Sequence, residues 1–223
     1  MPKVAILIPS YDSQLHVDIV YRLVELSRNG YEIINVNGYA NIIEARNNCI
    51  YRMMTREKES NTRYDYFMFI DSDIVFDTRY IDKMLAQDKS VVTGLYFTKN
   101  GGHKPLAGYW GSMNETGQLM YLSKKEVLSK MLVEIDWCGL GFTMFKRDVL
   151  DNIQYPWVEA KIIELKQPVN TGVFTLSQEI LSEDLSFIKK MGDNGVKLYC
   201  DTELFCEHIG IQYFGLKQYL ENN

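Results

Sequence analysis

Two carboxylates one residue apart, Asp71 and Asp73, follow directly on the apolar run Tyr66-Phe67-Met68-Phe69-Ile70. A run of that length without polar alternation predicts a strand buried on both faces. In open α/β sheets, ligands gather beyond the carboxyl ends of such strands. Residues i and i+2 of an extended segment face the same side, so the two carboxylates can converge. Mg²⁺ and Mn²⁺ favour carboxylate and phosphate oxygens. The pair fits a divalent cation bound together with a nucleotide diphosphate. It also fits an acidic loop that merely follows a core strand.

Other residues that could do chemistry are spread along the chain. Arg46 falls in the middle of the apolar face formed by Ile42, Ala45, Cys49, Ile50 and Met53. A cation on an inward face needs a partner. It is either in a buried salt bridge or, with Asn47, reaches a nucleotide, for which the planar guanidinium fork is well shaped. Lys99 opens the loop Lys99-Asn100-Gly101-Gly102-His103-Lys104-Pro105 and is either a solvated loop lysine or a phosphate ligand. Trp137-Cys138-Gly139-Leu140-Gly141-Phe142 sets two glycines beside aromatics, which fits a tight bend or close approach of the backbone to a ligand. Glu183 and Asp184 follow Ser182, a good N-cap, and acids there suit the positive end of a helix. His208 lies in Glu207-His208-Ile209-Gly210.

These residues need a scaffold, and hydrophobic periodicity supplies one. Val4 to Pro9 predicts a first, central strand. Val17, Val20, Leu23 and Val24 recur at helical spacing, and Asn29-Gly30 closes that helix. Tyr31 to Val36 predicts a second strand, and Asn41 caps a helix running to about Arg56. After the strand ending at Ile70, Ile81, Met84 and Leu85 mark a short helix, and Val91 to Phe97 another strand. The order β-α-β-α-β-α-β implies a mostly parallel sheet with helices on both faces. Further on come short strands around Tyr109 and Leu119–Tyr121, a strand over Met131–Asp136 and a short helix at Lys146–Asn152. Pro156 to Thr175 carries little regular signal and reads as a long irregular loop, which fits a lid, an acceptor-binding surface or a loose segment. A helix from Ser182 to Met191-Gly192 and a strand Val196–Cys200 complete the chain.

The composition narrows the function classes. The 223 residues are 46% hydrophobic and 24% charged, an ordinary globular balance. A net charge of −5 speaks against a broad nucleic-acid-binding face. Four cysteines without CxxC spacing predict free thiols in a reducing compartment. No secretory pattern and no membrane-length apolar run is present, so a cytoplasmic protein is expected.

Taken in order, these segments resemble the nucleotide-sugar-dependent glycosyltransferases of the GT-A fold, above all small viral and phage-type members. Val4-Ala5-Ile6-Leu7-Ile8-Pro9-Ser10-Tyr11 is similar to the first strand and nucleotide loop, Glu44-Ala45-Arg46-Asn47 to a helix motif, and Phe69-Ile70-Asp71-Ser72-Asp73 to the DxD motif. Cys138-Gly139-Leu140-Gly141-Phe142 with Lys146-Arg147 resembles the acceptor-side glycine segment, Ser182-Glu183-Asp184 with Phe187 the acidic helix motif, and Asp201 with Glu207-His208-Ile209-Gly210 the C-terminal histidine region. The resemblance implies one GT-A (Rossmann-like) domain over 1–223: a mostly parallel central sheet flanked by helices, a small second antiparallel sheet, a nucleotide half (1–97) and an acceptor half (98–223). It implies Asp73, Asp71 and His208 as metal ligands for Mn²⁺ or Mg²⁺, with Asp71 on the metal or the donor ribose. Pro9, Ser10, Tyr11, Arg46, Asn47 and Ser72 would hold the nucleotide, with UDP the family's usual carrier, and Lys99 the diphosphate. Trp137, Cys138 and Gly139 would lie on the acceptor side.

Glycosyl transfer needs a neutralised diphosphate, a base for the acceptor hydroxyl and two aligned substrates. Asp184 is the expected base, with Glu183 in reserve, and inversion of the anomeric carbon follows. A helix N-terminus would lower the basicity of Asp184. Three rivals stand beside this reading. Asp71-Ser72-Asp73-Ile74-Val75 also resembles the nucleophile motif of haloacid-dehalogenase phosphatases, although two β-α units precede it here. A nucleotidyltransferase would carry a Gly-rich basic loop after the first strand, where Pro9-Ser10-Tyr11-Asp12-Ser13 has neither feature. A non-catalytic nucleotide-sugar-binding module would use the same residues without a base.

Overall fold

A computed structural model of the protein describes residues 2–10, 15–99, 103–110, 119–168, 174–210, 216 and 220, with backbone alone at 163–168 and 174–179. Strands β1 (Val4–Ser10), β2 (Glu32–Asn37), β3 (Tyr66–Ile70), β4 (Ile74–Val75), β5 (Val91–Leu95), β6 (Ala107–Trp110), β7 (Leu119–Tyr121), β8 (Leu132–Ile135), β9 (Trp137–Cys138), β10 (Phe142–Lys146), β11 (Lys161–Pro168), β12 (Phe174–Leu181), β13 (Leu198–Phe205) and β14 (Glu207–His208) alternate with helices α1 (Val17–Arg28), α2 (Ile42–Ser60), α3 (Arg79–Gln87), α4 (Lys124–Val127) and α5 (Glu183–Asp193). Seven strands form the central sheet in the order β2-β1-β3-β10-β5-β13-β8. β1, β2, β3, β5 and β13 run one way, and β10 and β8 run against them. The protein is thus α/β, with a large, mostly parallel sheet compatible with a Rossmann-like domain.

The period-two alternation of β1 divides the core between the two sheet faces. Ala5 and Leu7 join Ala45, Cys49, Ile50 and Met53 of α2 and Phe187, Ile188 and Met191 of α5 on one face. Val4, Ile6 and Ile8 join Ile19, Leu23 and Leu26 of α1 and Ile81 and Met84 of α3 on the other. Every residue of β1 and β3 is buried, as their unbroken apolar runs require.

Several expectations need correction. The buried stripe of α1 is Ile19, Leu23 and Leu26; Val17, Val20 and Val24 are exposed, because the helix is rotated to pack its shorter apolar row on the sheet. Three small antiparallel sheets, not one, flank the central sheet: β11-β12, β14-β4 and β7-β6-β9. The segment read as a long loop over 156–175 contains β11, which pairs with β12 from Lys161↔Leu181 to Pro168↔Phe174. The halves 1–97 and 98–223 share one sheet, since β10 from the second half lies between β3 and β5 of the first. Among the described residues, no helix is long and apolar enough to cross a membrane.

Candidate active site

The carboxyl end of β3 is the centre of two adjoining charge clusters. At Asp71 the chain leaves the sheet: its amide donates to the Gly141 carbonyl at 2.9 Å, and the Ile74 amide returns to the Asp71 carbonyl at 3.2 Å. Two side chains two residues apart therefore leave from a tight, hydrogen-bonded turn. Continuing the β1–β3 register beyond Leu7↔Phe69 sets Pro9 level with Asp71 at the same sheet edge. Pro9 and Ser10 are buried there, and Tyr11 lies outside the described residues.

The first cluster gathers around Arg46. Asn41 starts α2 by accepting the Glu44 amide at 3.0 Å, which sets the helical phase that turns Arg46 inward. Its side chain is only 2% exposed. Nη2 donates to both oxygens of Asp71 at 3.0 Å. Nη1 donates to Glu183 Oε1 at 2.9 Å and to Asp184 Oδ1. The guanidinium also lies 5.9 Å from the centroid of the Phe69 ring, within cation–π range. Burial opposes a charged Arg46, yet Asp184, Asp71 and Glu183 together raise its pKa, so it stays a cation. Arg46 is thus held in a buried salt bridge with three carboxylates.

Glu183 and Asp184 reach this point because of how α5 is anchored. Ser182 accepts the Leu185 amide and starts the helix. One turn on, Phe187 packs against Phe145 of β10 at 5.7 Å and Phe69 of β3 at 6.4 Å. That aromatic contact fixes the first turn of α5 over the end of β3. Asp184 Oδ2 also accepts the Leu140 amide at 3.3 Å. Burial pushes the Asp184 carboxyl up, Arg46 and the Leu140 amide pull it down, and Glu183 and Asp71 push it up again, to about 7. Burial is the largest of these causes.

The glycine segment has a role that spacing alone did not disclose. A Cβ at Gly139 would lie 2.2 Å from the Tyr96 hydroxyl, and one at Gly141 would lie 2.9 Å from it and 3.1 Å from Asp71 Oδ2. The Gly141 amide donates to the Tyr96 hydroxyl at 2.8 Å. The missing side chains make room for Tyr96 and the carboxylates. Tyr96 was missed because it sits in the apolar run that ends β5, where an aromatic reads as core; burial first, then Asp184 and Asp71, raise its pKa and keep it neutral.

The second cluster centres on Asp73. β14 pairs with β4 in the register His208↔Ile74, and the Ile209 amide donates to the Asp73 carbonyl at 2.7 Å. This ladder brings His208 Nε2 to 3.5 Å from Asp73 Oδ1, while Lys99 Nζ pairs with Oδ2. Burial would raise the Asp73 carboxyl; hydrogen bonds from His208 and Lys99 and their charges hold it at about 2. His208 Nδ1 lies 3.0 Å from the Phe97 carbonyl, which can only accept, so Nδ1 carries the proton. The protonated ring donates from Nε2 to Asp73, and the neutral ring offers that nitrogen's lone pair to a cation bound beside the carboxylate. Among the described residues, no group of three or more His, Cys, Asp and Glu side chains could hold a metal alone. Mg²⁺ and Mn²⁺ do not need such a cage, since they are often held by one or two protein ligands together with substrate phosphates. Asp73 and His208 fit that pattern, and Asp71 beside them is bound by Arg46.

Other expected site residues lie elsewhere. Trp137 and Cys138 are buried, and the Trp137 indole donates to the Tyr109 carbonyl at 3.0 Å, so their side chains offer no surface to an acceptor. Asn47 is used up structurally: it donates to the Ile43 and Val158 carbonyls and accepts the Val158 amide at 3.2 Å. Lys146 pairs in register with Tyr66, at the opposite end of β3 from Asp71. Arg147, beside it, is bound to Glu57. Ser72 lies half-buried in the turn between the two aspartates.

No family model and no curated protein matches the chain. Among solved structures it is similar to A197 from STIV, at 19% identity and a TM-score of 0.59, over 93% of this chain and 86% of that one. It also matches a glycosyltransferase involved in the glycosylation of the major capsid of PBCV-1, at 16% identity and a TM-score of 0.33, over 70% and 69% of the two chains. The first of these likenesses shows a shared fold and nothing more.

Proposed function

We propose that the protein is a metal-dependent glycosyltransferase that moves a sugar from a nucleotide-diphosphate donor, a UDP-sugar, to an acceptor hydroxyl with inversion. The observation that carries this reading is the pairing of two unlike carboxylates at one sheet edge. Asp184 is held near neutrality, the range in which a general base works best. Asp73 is held ionised beside an imidazole nitrogen, as a cation ligand must be. Asp73 and His208 would hold Mg²⁺ or Mn²⁺, whose chemistry is Lewis-acid neutralisation of the diphosphate leaving group. Asp184 takes the acceptor proton, and its Leu140 contact keeps one oxygen oriented while it does so. Lys99, paired to Asp73, would meet the diphosphate. Arg46 leaves the nucleotide-binding set, since its terminal nitrogens are engaged by Asp71, Glu183 and Asp184.

Melting the purified protein with a panel of nucleoside diphosphates, each with and without Mn²⁺, tests this. A ligand at about 100 times its Kd stabilises the folded state by about 2.7 kcal/mol. One diphosphate should raise the Tm only with the metal, and Asp73→Ala should remove the effect. No shift from any diphosphate at saturating concentration would end the transferase reading. Hydrolysis of a phosphomonoester without nucleotide would favour the phosphatase.

A further inference from the structure

Among the described residues, Arg46 is the cation that touches the Asp71 end of the site and the Asp184 end together. Its two terminal nitrogens are divided between them: Nη2 grips both oxygens of Asp71, and Nη1 is shared by Glu183 and Asp184. A lysine could not do this, because a point charge lacks the planar fork that faces two directions at once. We propose that Arg46 is a positioning residue that couples Asp71, Glu183 and Asp184 into one unit, so that the proton affinity and aim of Asp184 depend on both other carboxylates. This rests on the transferase reading only for the identity of the proton that Asp184 accepts.

The groups facing Asp184 come from every element packed around it. Arg46 approaches from α2, Glu183 from its own helix, Asp71 from the end of β3, Tyr96 from the end of β5, Cys138 from β9, and the Leu140 amide from the glycine segment. Tyr96 and Cys138 are buried and stay neutral, since burial raises both. That leaves one guanidinium among three carboxylates, with negative charge in excess. The two like charges beside Asp184 favour its protonated form. Arg46 Nε is buried and without a hydrogen-bond partner, so the entire directed bonding of the guanidinium goes to the carboxylates.

The test follows the carboxyl carbon of Asp184 by ¹³C NMR against pH in the wild type, Glu183→Gln and Arg46→Lys. Glu183→Gln removes one like charge and should lower the Asp184 midpoint by about one pH unit. Arg46→Lys, which replaces the fork by a point charge, should raise it. The acid limb of kcat/KM with a nucleotide-sugar should move with each midpoint, which a residue serving only the fold would not cause. An Asp184 midpoint unchanged in Glu183→Gln overturns the proposal, even if Arg46→Lys fails to fold. Midpoints that move as expected in a protein that transfers no sugar would uphold the coupling and remove the transferase reading.

Discussion

The two charge clusters at the end of β3 are mirror images in their arithmetic. Around Arg46, three carboxylates share one cation, and Asp184 is pushed up to about 7. Around Asp73, one carboxylate is shared by a lysine and an imidazole, and it is held at about 2. The aspartates Asp71 and Asp73 that seed the two clusters are separated by one serine. Burial penalises the charged form in both places, so the partner count decides the outcome. The turn that carries Asp71 and Asp73 therefore adjoins one carboxylate raised towards neutrality, Asp184 of α5, and itself holds another that stays ionised. Catalytic sites separate acid and base roles in the same way, by pushing neighbouring pKa values apart.

The sharpest break of this contrast is Arg46→Met. It leaves three carboxylates around a buried position without their cation and should cost about 3–5 kcal/mol, read as a lower urea midpoint. Only proton uptake by the cluster could soften it, so the loss should be smaller at pH 5 than at pH 8. Asp184→Asn comes next. It should reduce transfer by about 10²- to 10⁴-fold while leaving nucleotide binding intact, measured as kcat against Kd. Its stability effect has the opposite sign to that of an ordinary ion-pair deletion. The folded state raises Asp184 from 3.8, so its contribution is full below 3.8 and is lost as pH rises through about 7. Asp184→Asn should thus flatten the decline of Tm between pH 5 and pH 8. The mildest change is Lys99→Ala in the second cluster. Asp73 is lowered from 3.8, so its contribution is present above 3.8 and lost as pH falls towards 2. Without Lys99, acid unfolding should begin at a higher pH, seen by circular dichroism.

Much of this was legible in the residues. The apolar run before Asp71, the N-caps Asn41 and Ser182, and the inward phase of Arg46 are local signals, and each holds in the structure. What sequence could not disclose were pairings between distant short pieces. β4 and β14 are two residues long, too short for any period to register, yet their pairing brings His208 to Asp73. Trp137 and Cys138 looked available because aromatic and glycine neighbours resemble a binding loop; tertiary packing buries them. β11 was hidden because Ile162-Ile163 breaks strict alternation. On α1, two apolar rows competed, and the one holding Val17, Val20 and Val24 lost to Ile19, Leu23 and Leu26.

The place of β10 in the sheet also bears on how the chain reaches this state. Residues 142–146 fill the gap between β3 and β5, which are made much earlier in the chain. Until they insert, β3 and β5 each present an apolar edge with open backbone groups, the kind of edge that recruits other chains. Refolding is then a race between a long-range, slow insertion and edge-to-edge association, and dilution favours insertion. Gly141 precedes β10 directly, and its carbonyl receives the Asp71 amide. The strand that closes the gap in the sheet thus also seats the turn that carries Asp71 and Asp73.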